Sequence, residues 1–351
     1  MKVELLSVAD VINWDKYVLK HDRSLFNASY QFRTFLRHLL PSNCIPFYFL
    51  AKEGNDVLGV LPSFCSRGSM GAVLNSMPWF GSNPGGMADS MSVQKALLEA
   101  FLDTAEWTKC ISATFITRPF EDLAFYDDFF SNYEHLEDER IGAITTLPSY
   151  QDAVQFSDDL LNLVHQKTRN QIRKSWRFCQ VSEKQDFSFL EKIHQENMEA
   201  VGAPVKSKEF EIIKNQLKPN EDYKMFIAWH GGEPVAGLLL KYFNKTVDYL
   251  VPAIDVNYRH FDPLHSCIYY GMVDAAQNGF KYWNWGGSKL PGMESVLHFK
   301  QRFGADICKY KYYTFLPMGT NPFELIAPDY WLKNYPYFYV LPFKTKEAGK
   351  P

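Results

Sequence analysis

The segment Lys281 to Gly304, KYWNWGGSKLPGMESVLHFKQRFG, joins an aromatic strand, the turn Gly286-Gly287-Ser288 and a short helix that carries Lys300 towards Gly304. Glycine at such a turn lets backbone approach another group closely, and a lysine beside it supplies a fixed positive charge. A second cationic run, HQKTRNQIRKSWR, holds Lys167, Arg169, Arg173, Lys174 and Arg177 in a stretch with no acid between Asp159 and Glu183. At helical pitch Arg169, Arg173 and Arg177 fall at successive i,i+4 steps, beside an apolar stripe of Ile172, Trp176 and Cys179. Guanidinium forks match phosphate oxygens, so a diphosphate is the natural ligand of such a stripe. Together the two segments predict a transferase that holds an anionic, phosphate-bearing substrate. The plainer reading of the basic run is a solvated helix face.

Fewer residues elsewhere suggest chemistry. Lys300 lies between Phe299 and Phe303 of one apolar helix face, so it either turns into a cleft or is an ordinary surface lysine. The loop Ser82-Asn83-Pro84-Gly85-Gly86-Met87-Ala88-Asp89 offers backbone donors and a carboxylate to a ligand, or is a turn whose aspartate caps a helix. His265 and His298 are isolated, and isolated histidines are more often structural than catalytic. No phosphate-binding P-loop and no G-x-S-x-G turn occurs in the sequence. The six cysteines show neither C-x-x-C spacing nor paired histidines, which predicts reduced, mostly buried thiols and no metal.

The elements that must position these residues form an internal echo. Ile45 to Lys52 and Val57 to Ser66 read as a hairpin, followed by a strand at Ala72 to Met77, a helix near Val93 to Trp107 and a strand at Ile111 to Thr117. The same order returns in Tyr223 to His230, Pro234 to Phe243, Val247 to Ile254, a helix near Leu264 to Gln277 and Lys281 to Trp285. A meander followed by a crossover helix indicates an α+β sheet in each half. Ser188-Phe189-Leu190-Glu191 reads as a capping box opening a further helix. The length of 351 residues favours two domains, 1–150 and 151–351, with the boundary near Asp152 to Leu160. The C-terminal aromatic tract is expected to complete a sheet edge. Hydrophobic content of 46% and charged content of 22% describe globular domains. A net charge of -3 excludes a nucleic-acid binder that uses its whole surface, so DNA is not an expected partner and any polyanion site must be local. With no apolar run long enough to cross a membrane, a cytoplasmic enzyme is expected.

The two-fold arrangement, the segment KTRNQIRKS and the ending YWNWGGSKLPGMESVLHFKQRFGA resemble the FemABX family of peptidyl and aminoacyl transferases and its acyltransferase relatives. The likeness runs from LFNASYQFRTFL to the strand after Gly304. It implies two tandem GNAT-like domains with mixed, mainly antiparallel sheets. It also implies substrate-binding roles for Arg37, Lys167, Arg169, Arg173 and Tyr249, with the basic positions on a nucleotide diphosphate and Tyr249 in the acceptor channel. Lys300 matches the lysine of the family's FK-x-x-FG element and implies a catalytic role in handling the acyl donor. Asp89 resembles an acid near the acceptor amine, although the chain reads NPGGMAD and not the usual GP-x-x-D, and Phe35 stands where a tryptophan usually precedes Arg37. The implied activity moves an aminoacyl or acyl group to an amine of a nucleotide-linked sugar, a muropeptide or another cell-wall or surface-polysaccharide precursor. Aminoacyl-tRNA, acyl-CoA or an acyl-carrier protein would be co-substrate, with no tightly bound cofactor. The family's long helical arm is absent, and Asn257 to Pro263, NYRHFDP, lacks the glycine-rich pyrophosphate turn of acetyl-CoA-binding domains. An acyl-CoA-dependent N-acetyltransferase of exopolysaccharide biosynthesis and a non-catalytic glycan- or tRNA-binding protein of the same fold are the alternatives.

Overall fold

A computed structural model describes residues 1–79, 85–202, 205–319, 321 and 327–340, with the side chains of 328 and 332 excepted. The elements are β1 (Lys2–Leu5), α1 (Val11–Lys20), α2 (Tyr30–Leu39), β2 (Cys44–Glu53), β3 (Asp56–Gly68), β4 (Gly71–Asn75), β5 (Met87–Ala88), α3 (Met91–Trp107), β6 (Cys110–Ile116), α4 (Leu123–Phe130) and β7 (His135–Thr146). They continue as α5 (Ala153–Leu163), α6 (Gln166–Phe178), β8 (Gln180–Glu183), α7 (Ser188–Ala200), α8 (Ser207–Gln216), β9 (Tyr223–His230), β10 (Glu233–Phe243) and β11 (Thr246–Ile254). The last are α9 (Pro263–Gln277), β12 (Tyr282–Ser288), α10 (Glu294–Gln301), β13 (Asp306–Phe315) and α11 (Pro328–Asn334).

The chain forms two compact units. The first comprises Met1–Gly142, Lys289–Gly292 and the described residues from Cys308 on; the second comprises Ala143–Ser288 and Met293–Ile307. The division expected at residue 150 is revised in two places. The first unit ends at Gly142, within β7, and it regains the chain at Cys308. The reason is backbone pairing, because β13 runs antiparallel to β6 with Tyr312 opposite Ile116 and Phe315 opposite Ala113. The C-terminal aromatic tract therefore does not close a sheet edge, since β13 lies between β6 and β7.

In the first unit, strand alternation sends Phe47, Phe49 and Ala51 to a core shared with Leu97, Phe101 and Leu102 of α3 and with Phe115 and Tyr313. Tyr48 faces the other way and meets Trp14 of α1, with ring centroids 5.0 Å apart. In the second unit the strand order is β12-β11-β10-β9-β8. Leu238, Leu240, Trp283 and Trp285 pack there against Ile172 of α6 and Cys267, Ile268 and Met272 of α9. Leu190 of α7 covers Gly237 on β10. The start of α7 differs from the capping box read in the sequence. Ser188 is its first residue, and the Asp186 carboxylate accepts the Ser188 N–H at 2.9 Å, while Glu191 pairs with Lys214 at 2.7 Å.

Gly271 lets α9 lie close on this sheet, since a methyl group there would stand 2.7 Å from Leu240 Cδ1 and 3.0 Å from Trp283 Cη2. Gly271→Ala is therefore expected to cost about 1–3 kcal/mol by overpacking. Urea unfolding would show this as a lower midpoint with an unchanged slope.

Candidate functional site

The two echoed parallel strand pairs end differently. In the first unit β4 and β6 stay paired from Ala72–Cys110 to Asn75–Thr114. Beyond them the Ser76 N–H donates to Thr114 O at 2.8 Å, and Ser76 Oγ accepts the Ile116 N–H at 2.9 Å. In the second unit β11 and β12 pair only at Thr246–Tyr282, Val247–Trp283 and Asp248–Asn284. Both strands continue, to Ile254 and Ser288, but apart.

Strands that part leave N–H and C=O groups that must find other partners. The parting begins at a buttressed rung, where Asn284 Nδ2 donates to Asp248 Oδ1 at 2.8 Å and Asp248 Oδ2 pairs with Lys241 at 3.1 Å. Asn284 Oδ1 then accepts the Gly286 N–H at 3.0 Å, and Gly286 turns the strand with φ of +69°, a conformation suited to glycine. Lys300, only 5% exposed, donates from Nζ to Gly286 O at 3.2 Å, Gly287 O at 3.3 Å and Ser288 Oγ at 2.9 Å. An ammonium has three donors, and here they meet three acceptors. Lys300 is thus neither a surface lysine nor an open cleft cation.

The opposite wall is treated in the same way. Leu239 faces Val251 and Leu240 faces Tyr249, so Leu250 is a bulged residue without an opposite on β10. Its carbonyl accepts from Lys206 Nζ at 3.4 Å. The Asp255 N–H goes to Val235 O, so strand alternation turns the backbone groups of Ile254 and Pro252 away from β10 and towards the split. Asn197 of α7 occupies both groups of Ile254, at 3.1 and 3.2 Å. Pro252 has no N–H to offer.

The residues singled out in the sequence fall in several environments. Tyr249 is partly buried, with its ring 5.0 Å from Trp285, and burial raises its phenol pKa. Lys167 is exposed, and its backbone N–H donates to His165 Nδ1 at the start of α6. Arg169 is half-buried; it donates from Nη1 to Asn162 at 3.5 Å, while its buried Nε has no partner among the described residues. Arg173 is exposed on the next turn. The start of α6 abuts the end of α10, where the His165 N–H donates to Arg302 O at 2.8 Å, and among the described residues no hydrogen bond joins Arg169 to the Lys300 turn. The buried face of α6 is Thr168, Ile172 and Ser175, with Ser175 Oγ 2.6 Å from Ser266 Oγ, so Trp176 lies at its exposed margin.

Asp89 and Arg37 belong to the first unit. The Asp89 carboxylate accepts from Tyr17 at 3.0 Å and pairs with Lys20 at 3.5 Å, and Ser90 caps α3 in its place. Arg37 is exposed in the last turn of α2. Residues Ser82, Asn83 and Pro84 of the loop before Asp89 lie outside the described residues. At the start of α9, Pro263 brings no N–H, the His265 N–H donates to Asp262 O, and the Asp262 carboxylate bonds Gln171 and Lys174. Burial lowers the His265 pKa to about 4. Helix N-termini attract anions through free N–H groups, and here Pro263 supplies none and that of His265 is engaged.

Sequence reasoning missed Asn197, Lys206, Lys241, Asp248 and Asn284. Signals existed for some of them: Asn284 interrupts the aromatic run of β12, and Lys241 sits in the apolar run GLLLKYF. Removing the Lys300 ammonium takes its donor from the part-buried carbonyls of Gly286 and Gly287 and from Ser288 Oγ. Lys300→Met is expected to cost about 1–3 kcal/mol in denaturant unfolding. Lys309→Met, at an exposed pair with Glu139, should stay within about 0.5 kcal/mol.

The solved structure of FemX superposes with a TM-score of 0.71 at 13% identity, over 89% of this chain and 97% of that one. The C-terminal domain of a putative lysylphosphatidylglycerol synthetase from Agrobacterium fabrum gives 0.55 at 10%, over 87% and 91%. A tandem GNAT protein from the clavulanic acid biosynthesis pathway gives 0.53 at 9%, over 90% and 98%. These likenesses establish the tandem GNAT fold. No curated protein matches the chain. Among the described residues no helix is long and apolar enough to cross a membrane. The FemAB family model matches residues 120–311, more than half of the sequence, and the chain belongs to that family of aminoacyl and acyl transferases.

Proposed function

We propose that the chain transfers an aminoacyl group from the ester of its tRNA, and not an acyl group from coenzyme A, to an amine of a nucleotide-linked sugar or muropeptide precursor. The observation that carries the choice of donor is the edge of β11, largely occupied and left with no N–H to offer at Pro252 and Ile254. A pantetheine arm is an extended chain bearing amides, and such chains dock on strand edges through backbone donors and acceptors. Leu250 O is held by Lys206, Pro252 has no N–H, and Ile254 is held at both groups by Asn197. The start of α9, with Pro263 and the Asp262 carboxylate, offers no cradle for a pyrophosphate. An acyl-carrier protein presents the same arm and meets the same obstacle. A tRNA ester needs only its carbonyl in the split.

In this reading the acceptor amine attacks the ester carbonyl, and much of the rate comes from holding the two substrates together. Lys300 acts by fixing the β12 wall and by its charge near the developing oxyanion. Arg169 and Arg173 contact the acceptor diphosphate, consistent with the unpartnered Nε of Arg169. Lys167 lies at the start of the same helix, Tyr249 lines the acceptor channel, and Arg37 is a further phosphate contact. Asp89, already engaged by Lys20 and Tyr17, orients the acceptor and does not serve as a free base.

The test supplies the protein with a mixture of labelled aminoacyl-tRNAs and a UDP-linked muropeptide, and separately with acetyl-CoA and a UDP-linked amino sugar. Label is expected to move from tRNA to the muropeptide, with no protein-dependent release of CoA thiol. Thiol release with acetyl-CoA and no transfer from tRNA would overturn the assignment of donor.

A further inference from the structure

One part-buried ionisable group on the β11 wall of the split, Lys206, has so far only a structural part in the site. Lys206 enters from the start of α8 and places its Nζ on the bulged Leu250 carbonyl, which alternation directs towards the split. Unlike Lys300, whose three donors meet three acceptors, Lys206 has this one hydrogen-bond acceptor among the described residues, at 3.4 Å. Next to it His194 of α7 is only 3% exposed, and neither ring nitrogen has a hydrogen-bond partner among the described residues. A buried imidazole with both nitrogens idle is an unusual arrangement unless something polar joins it.

We infer that Lys206 is the proton shuttle of the transfer reaction, and that the acceptor reaches it as a primary amine, beside the idle ring nitrogens of His194. This rests on the proposed function and names the group that manages its protons. The neutral acceptor nitrogen forms a bond to the carbonyl carbon of the ester, and the carbonyl π electrons move to oxygen. The neutral Lys206 amine removes the N–H proton and becomes an ammonium. As the carbonyl reforms, the bond to the ester oxygen breaks, and that oxygen takes the proton back from Lys206. The products are an amide and an alcohol, with the lysine restored.

The surroundings suit a lysine that works in both forms. Burial pushes its pKa down to about 8; Glu209 on α8 opposes the shift and Lys241 on β10 adds to it. Lys241 is held by Asp248 of β11. From α7, His194 stays neutral, its pKa lowered to about 4 by burial and by the Lys206 charge. A base must be deprotonated to accept, so turnover should rise with pH up to a plateau above about 8.

Two readouts decide the inference. In protein carrying isotope-labelled lysine, NMR titration of the side-chain resonances should show one lysine with a midpoint near 8, absent from Lys206→Arg. If every lysine titrates above about 10, the inference fails whatever the substrates prove to be. In transfer from aminoacyl-tRNA to the UDP-linked muropeptide, Lys206→Met should lower kcat by about 10²–10⁴-fold, leave KM nearly unchanged and abolish the alkaline rise. A Lys206→Met enzyme that keeps the rise and its kcat also overturns the role. Should the wild-type protein transfer nothing from tRNA, the proposed donor falls, and the NMR titration still decides the state of Lys206.

Discussion

The second unit depends on the parting of two parallel strands at a rung held by side chains. Asp248 and Asn284 close the last pair of β11 and β12, and Asn284 also takes the Gly286 N–H and turns β12 away. Every backbone group freed by that divergence needs a partner, because burying it unsatisfied costs about as much as a lost hydrogen bond. Lys300 meets the carbonyls of one wall, and Lys206 and Asn197 meet the other. The opening is therefore built into the fold. The first unit repeats the same element order, but Ser76 prolongs its strand pair instead of opening it. The echo in sequence thus produces one closed and one open pair.

This arrangement divides two jobs between two lysines. Lys300 is fully engaged and serves as a charged strut, whereas Lys206 has donor capacity left and a desolvated amine near its switching point. Electrostatic support for an oxyanion benefits from a fixed cation, while proton transfer needs a group that changes charge near working pH. Placing them on opposite walls lets each have the environment its task requires.

Much of the scaffold was legible in the sequence. The repeated hairpin, strand, helix and strand follow from period-two apolar runs broken by Gly and Asn turns, and the structure keeps that order in both units. The glycine turn and Lys300 were also legible as a pair, because an aromatic strand ending in Gly-Gly-Ser is unusual. What escaped was long-range. Lys206 lies in a polar stretch after α7 that looks like any solvated loop, and only its meeting with Leu250, a residue 44 positions on, gives it meaning. Pro252 within a strand pointed to an irregular edge, but not to which groups would cover it. The return of β13 to β6 was hidden for the same reason, since pairing across some two hundred residues leaves no local pattern. The basic run on α6 was correctly seen as helical, yet its inner face proved to be Thr168, Ile172 and Ser175, because small hydroxyl residues let α6 approach α9.

Amide hydrogen exchange at Ile254 and Gly286 in the ligand-free protein tests the central claim most directly, because it asks whether the parted strands are already satisfied. The account predicts slow exchange at both positions, comparable to the interior of β10, with Asn197→Ala releasing Ile254 and Asn284→Ala releasing Gly286. Rapid exchange at both in the wild-type protein would mean that the strand edges are free. They would then be open to an extended acyl donor, and the account would be contradicted.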